Sequence, residues 1–120
     1  MGKHNNTGKL GENIAEKYLT KEGHIILDKN WHFGKEELDI IARKDDIIIF
    51  VEVKTRESNA FGEPEEFVTR KKQKHIIRAA NAYIEKKNLE MKVRFDVIAV
   101  LLDKEKHSIH HIEDAFYPVA

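Results

Sequence analysis

Leu38-Asp39-Ile40-Ile41-Ala42-Arg43, a polar turn Lys44-Asp45-Asp46, and Ile47-Ile48-Ile49-Phe50-Val51-Glu52-Val53-Lys54 read together as a β-hairpin. Strand side chains alternate between faces, so Glu52 and Lys54 share a face with Ile48 and Phe50. A turn at Asp45-Asp46 sets Lys44 against Ile47. The same register sets Asp39 against Glu52, with Cβ atoms about 5 Å apart, and like charges so placed repel. A cation between them removes that penalty. Two carboxylates and a spare backbone carbonyl are the hard oxygen donors that suit Mg²⁺ or Mn²⁺. Lys54, one pleat further on, can hold a water or a phosphate oxygen beside that ion. Charged residues at strand ends are usually only solvated, and a lone Glu-x-Lys is common. The register-matched Asp39 lifts the pair above that reading.

Outward from the hairpin, the pattern predicts a helix from about Thr7 to Glu22, with Thr7 as N-cap and Gly23 as the stop. Leu10, Ile14, Ala15, Tyr18 and Leu19 make its apolar face. Glu12 falls at the margin of that face, where the pattern alone reads it as an acid favoured in a first turn by the helix dipole. Ile25-Ile26-Leu27 begins a strand that leads to Asn30-Trp31. Residues 57–64 make a Gly/Pro-containing loop. Thr69 can cap a second helix reaching Lys87, with Ile76, Ile77, Ala80, Tyr83 and Ile84 buried. Gln73 lies on that stripe one turn earlier, where it either faces the acids or a phosphate, or simply reaches solvent. Lys71, Lys74 and Arg78 share the outward face, usually a solvated one. Val93–Leu102 and His107–Ile112 are two more strands. Asp96 is expected as a structural partner for Arg94 or Arg56. Alternation sets His110 and His111 on opposite faces, so the histidines are not read as zinc ligands.

The chain has 120 residues, 41% hydrophobic and 35% charged, which predicts a single domain with a real core. It has no cysteine, which excludes disulfides and a cysteine nucleophile. No run approaches membrane-span length and the start has no secretory pattern, so the expectation is a cytoplasmic protein with no membrane partner. Basic and acidic residues balance at 21 each, but residues 70–92 hold eight Lys/Arg against two Glu. Acids gather instead at Glu36-Glu37 and at Glu63, Glu65 and Glu66. A local basic stripe is what phosphate binding needs. No aromatic platform for single-stranded RNA is legible.

Gly34-Lys35-Glu36-Glu37-Leu38-Asp39-Ile40-Ile41, followed by Phe50-Val51-Glu52-Val53-Lys54-Thr55-Arg56, resembles the PD-(D/E)XK nuclease signature. The whole chain resembles the YraN-like family of small bacterial proteins in the restriction-endonuclease-like superfamily, which is related to Holliday-junction resolvases. The likeness runs through Gly8-Lys9-Leu10-Gly11-Glu12, Asn30-Trp31, Phe61-Gly62, Arg70-Lys71-Lys72-Gln73, Arg94-Phe95-Asp96-Val97 and Ala115-Phe116. Where that family reads Gly-Glu-Ile-Asp, this chain has Glu36-Glu37-Leu38-Asp39, with Glu36 in the glycine's place. The resemblance implies an α/β fold, a mixed central sheet flanked by helices. It implies a metal-dependent endonuclease acting on DNA, branched or structured DNA included. Asp39, Glu52 and the Val53 carbonyl would hold the metal, with Glu12 as an extra ligand. Lys54 would act in the chemistry and Gln73 beside it. Arg56, Arg70, Lys71, Lys72, Lys74 and Arg78 would hold the nucleic acid. The competing expectation is a non-catalytic nucleic-acid-binding or assembly module, because fold does not fix function. RNA as substrate and a homodimer stay open.

Overall fold

The hairpin forms in the expected register, from Lys44↔Ile47 to Ile40↔Val51. It lies inside a computed structural model that describes residues 2–57 and 68–118, with side chains described from Thr7 onward. The elements are α1 (Gly2–Lys21), β1 (Ile25–Phe33), β2 (Glu36–Lys44), β3 (Ile47–Glu57), α2 (Arg70–Lys87), β4 (Lys92–Asp103) and β5 (Lys106–Phe116). This is the expected order, α-β-β-β-α-β-β. The loop after Glu57, with Phe61-Gly62 and the acids at 63, 65 and 66, lies outside the described residues.

One five-stranded sheet holds the strands in chain order, β1-β2-β3-β4-β5. Tight turns make β1/β2, β2/β3 and β4/β5 antiparallel. Gly34 (φ 62°) and Asp45 (φ 55°) supply left-handed residues at two of these turns. The remaining neighbours, β3 and β4, are parallel. A parallel pair needs a long crossover, and α2 lies in that connection.

The two helices cover opposite faces. Ala15 and Leu19 of α1 pack on Ile40, Ala42, Ile49, Val51 and Ile98. Ile76, Ala79, Ala80 and Tyr83 of α2 pack on Leu38, Ile41, Ile48, Phe50 and Phe95. The second helix begins and ends as its sequence dictates. Thr69 is extended (φ −69°, ψ 164°) and its side chain accepts from the Lys72 amide, while Asn88 ends the helix left-handed at φ 53°, ψ 53°.

Two details of α1 differ from expectation. It starts at Gly2, so Thr7 lies within the helix and caps nothing. Leu10, expected in the core, is 48% exposed. The seam passes through the buried Gly11 instead: a Cβ there would collide with Oγ1 of Thr55 on β3. At the other end Gly23 (φ 96°) terminates the helix as expected. The His24 amide donates to the Leu19 carbonyl and the Gly23 amide to Thr20.

Candidate functional site

Strand alternation breaks at Asp39. Leu38 and Ile41 both face α2, whereas Ile40 and Ala42 both face α1. The paired ladder between β2 and β3 ends at Ile40↔Val51, one step short of the expected Asp39–Glu52 pair. The Asp39 side chain bridges the parting strands in place of a backbone carbonyl: its Oδ2 accepts the Val53 amide at 2.9 Å. Amide and carbonyl of one strand residue point to the same side. Strand geometry therefore directs the Val53 carbonyl toward the same gap.

Glu52 is buried, 5% exposed, on the face shared with Ile48 and Phe50. Two ammonium groups approach its Oε2, Lys54 Nζ at 3.6 Å and Lys72 Nζ at 3.9 Å. Both distances exceed hydrogen-bond length, so the lysines offset the charge without saturating the oxygens. Burial pushes the Glu52 carboxyl above its ordinary range, and the charges of Lys72 and Lys54 only partly oppose that. The Asp39 carboxyl is pushed up to about 8 by burial first and the Glu52 charge next, with Glu12 adding to it. The Val53 amide works in the other direction. Both carboxylates are thus costly as anions in the metal-free fold.

Glu12 reaches this neighbourhood from α1. Its Oε1 accepts from Asn30 Nδ2 at 3.0 Å, and Asn30 sits left-handed on β1 at φ 48°. The close approach of Gly11 to Thr55 brings this turn of α1 against β3. Asn30 is a contributor that sequence reasoning did not assign; its tolerance of positive φ was the available signal. Among the described residues, no three His, Cys, Asp or Glu side chains are already gathered as a metal cluster. The donors present still fit a hard divalent ion. They are carboxylate oxygens and a carbonyl in a poorly solvated place, and a cation would offset the repulsion between the two carboxylates in their ionised forms.

The other expected residues divide between this place and elsewhere. Lys72, expected only to hold nucleic acid, stands beside Glu52. Gln73 is half-buried, and its Nε2 donates to the Val68 carbonyl at 3.1 Å. It lines a separate groove with Arg70 and Lys74. Lys71, Lys74 and Arg78 are exposed on the outward side of α2, and the Arg78 guanidinium lies 6.0 Å from the Phe33 ring centre. Arg56, on the Glu52 side of β3, donates from Nη1 to the Thr55 carbonyl at 2.9 Å. Glu36, in the place of the family glycine, has a buried Oε2 with no partner among the described residues.

A second polar cluster occupies the opposite face of the sheet. Asp96 is fully buried and accepts from Arg94 Nε and Nη2, each at 2.9 Å, and from the Asp114 amide at 3.0 Å. His111 Nε2 lies 2.7 Å from Asp96 Oδ2, and its Nδ1 lies 2.9 Å from the Tyr18 hydroxyl. Burial alone would raise the Asp96 carboxyl, but the bonds from His111, Arg94 and Asp114 outweigh it and hold it low. Asp96 is thus the structural partner of Arg94, and both ring nitrogens of His111 are engaged. His110 is exposed on the other side of the strand.

Comparison with known proteins places the chain. The family model described as "Uncharacterised protein family UPF0102" matches residues 11–100. The chain is 45% identical over 117 residues to a UPF0102 protein of Flavobacterium psychrophilum, covering 98% of each. It is 47% identical over 118 residues to one of Phocaeicola vulgatus, again 98% of each. A UPF0102 protein of Clostridium perfringens is 48% identical over 120 residues, which spans 97% of this chain and 98% of the relative. Matched by the family model across both acidic strands, and by relatives along nearly its whole length, the chain belongs to the UPF0102 family, the YraN-like family to which its motifs pointed.

Proposed function

We propose that this protein hydrolyses phosphodiester bonds in DNA with the help of a divalent ion, Mg²⁺ or Mn²⁺. The observation that carries the reading is the convergence of Asp39 and Glu52 from parting strands, with two lysines beside Glu52. Asp39, Glu52 and the Val53 carbonyl would hold the ion, joined by Glu12 from α1. When bound, such an ion lowers the pKa of a coordinated water and offsets charge on the phosphate in the transition state. Asp39 keeps its orientation through the Val53 amide. Lys54 donates hydrogen bonds to the attacking water or to a phosphate oxygen, where charge develops. Lys72 adds a second positive charge on the same side. Arg56, Arg70, Lys71, Lys74 and Arg78 hold the phosphate backbone.

The test is a cleavage assay with Mg²⁺ and Mn²⁺ on linear, flapped and four-way DNA and on structured RNA. Cleavage of DNA that disappears in Asp39→Asn and Glu52→Gln is the expected result. Cleavage that survives in both variants would end the assignment of these acids, and RNA as the better substrate would change the substrate class. Lys54→Ala should abolish cleavage while Mn²⁺ affinity, read by calorimetric titration, stays within about twofold. The competing reading is a non-catalytic nucleic-acid-binding or assembly module on the same fold. One observation favours it: Lys54 and Lys72 already compensate the Glu52 charge in part. DNA binding without cleavage under any of these conditions would establish it.

A further inference from the structure

Tyr117 is 67% exposed, the most exposed of the large apolar side chains described. It follows Phe116, which ends β5 and stacks on Phe95 with ring centres 5.2 Å apart. The anchor beneath is therefore fixed while the next ring is presented to solvent. Tyr117 and Pro118 form one wall of a cavity of about 190 Å³ whose other wall is Arg70, Gln73, Lys74 and Ile77. Those four positions are i, i+3, i+4 and i+7, one stripe of α2. The cavity thus combines an aromatic face, an aliphatic side chain, a proline and two cations. Its Gln73 is pinned by the Val68 carbonyl, so that wall is already ordered.

Charge and shape together select an occupant. Arg70 and Lys74 call for anions, and an exposed ring between apolar groups calls for a flat partner. An unpaired nucleotide supplies both, a base to stack and flanking phosphates to pair. A base inside a duplex presents no free face, so continuous duplex fits the cavity poorly. Lys72, on the same two turns of α2 but nearly opposite this stripe around the helix, approaches Glu52, so one end of α2 borders both the cavity and the acids. We propose that this groove is a subsite for an unpaired nucleotide, with its base on Tyr117 and its phosphates on Arg70 and Lys74. Resting on the nuclease reading above, this makes the substrate DNA that carries a single-stranded element, such as a flap or fork, rather than uninterrupted duplex.

Fluorescence anisotropy with a labelled oligothymidylate strand and a blunt duplex of equal length tests the groove without requiring cleavage. Tyr117→Ala should weaken binding of the single strand roughly 5- to 100-fold, the range for loss of one base–aromatic stack. Tyr117→Phe should retain it, and affinity for duplex should change less than about twofold. The double variant Arg70→Gln, Lys74→Gln should flatten the single-strand dependence of log affinity on log salt by about 1.4 units, at about 0.7 per phosphate contact. Wild-type affinity of Tyr117→Ala for the single strand, equal losses on duplex, or no binding of oligothymidylate by the native protein would each overturn the subsite. The two readings fail separately. Loss of the expected binding pattern with cleavage intact removes the subsite alone; the expected pattern without any cleavage removes the nuclease alone.

Discussion

A carboxyl group pushed up to about 8 is neutral over much of the physiological range, and Asp39 is such a group. The sign of its contribution to stability follows from linkage. A folded-state pKa above the ordinary 3.8 means that the native state holds the proton more tightly than the unfolded chain. The stabilising contribution is complete below that ordinary value. It is lost as pH rises toward 8 and stays lost above. Asp39→Asn should therefore raise the melting temperature of the metal-free protein at pH 9, by roughly 4 °C for each kcal/mol recovered. That advantage should vanish near pH 4, as thermal unfolding across the pH series would show. The Val53 amide gives a direct view of the same titration, because its hydrogen bond goes to Asp39 Oδ2. Its NMR shift should move with a midpoint near 8, and addition of diamagnetic Mg²⁺ should drive that midpoint down by displacing the proton. A Val53 signal that is flat between pH 6 and 10 would contradict the shifted Asp39. Residues of this kind were legible in the sequence as far as alternation holds. Glu52 and Lys54 share the face that their spacing gave. The slip at Asp39 was not legible, because it depends on where β2 parts from β3. The approach of Lys72 was hidden for a related reason: it depends on how α2 settles across the sheet.

The second helix divides its surface between a buried apolar face and an exposed basic one. Ile76, Ala79, Ala80 and Tyr83 are buried, while Lys71, Lys74 and Arg78 are exposed. Periodicity revealed that division, and Thr69 announced the start of the helix by its capping chemistry. Replacing Lys71, Lys74 and Arg78 together with Gln should flatten the salt dependence of duplex binding by roughly two to three units, at about 0.9 per phosphate contact. The loss should be alike for any sequence, because phosphate contacts position without specifying. The helix itself should persist in circular dichroism, since Gln propagates helices nearly as well as Lys or Arg. An unchanged slope with an intact fold would mark this face as solvated surface only. Boundaries were less legible for α1. Thr7 looked like a cap, but the helix continues to Gly2, and Leu10 yielded its place in the seam to Gly11 because only a residue without a side chain fits against Thr55.

Across the whole molecule, the sheet separates two buried acid groups of opposite character. Glu52, on the α2 side, is held above its usual range; Asp96, on the α1 side, is held below it. The two should answer mutation oppositely. Glu52→Gln should leave the metal-free fold as stable as the native one or more so. Asp96→Ala should cost about 3 kcal/mol, because it strips two hydrogen bonds from the half-buried Arg94 and unties His111 and the Asp114 amide. Denaturant unfolding at neutral pH would check both, and an equal loss in the two variants would refute the contrast. The strand order has a consequence of its own. Since β1, β2 and β3 neighbour one another in the order of translation, the meander can pair as soon as residue 57 has left the ribosome. Asp39 and Glu52 are then side by side while the segment bearing Lys72 is still inside the ribosomal exit tunnel. The nascent chain carries its acid pair ahead of one of the lysines that temper it, with Leu38, Ile41, Ile48 and Phe50 still waiting for the helix that will cover them.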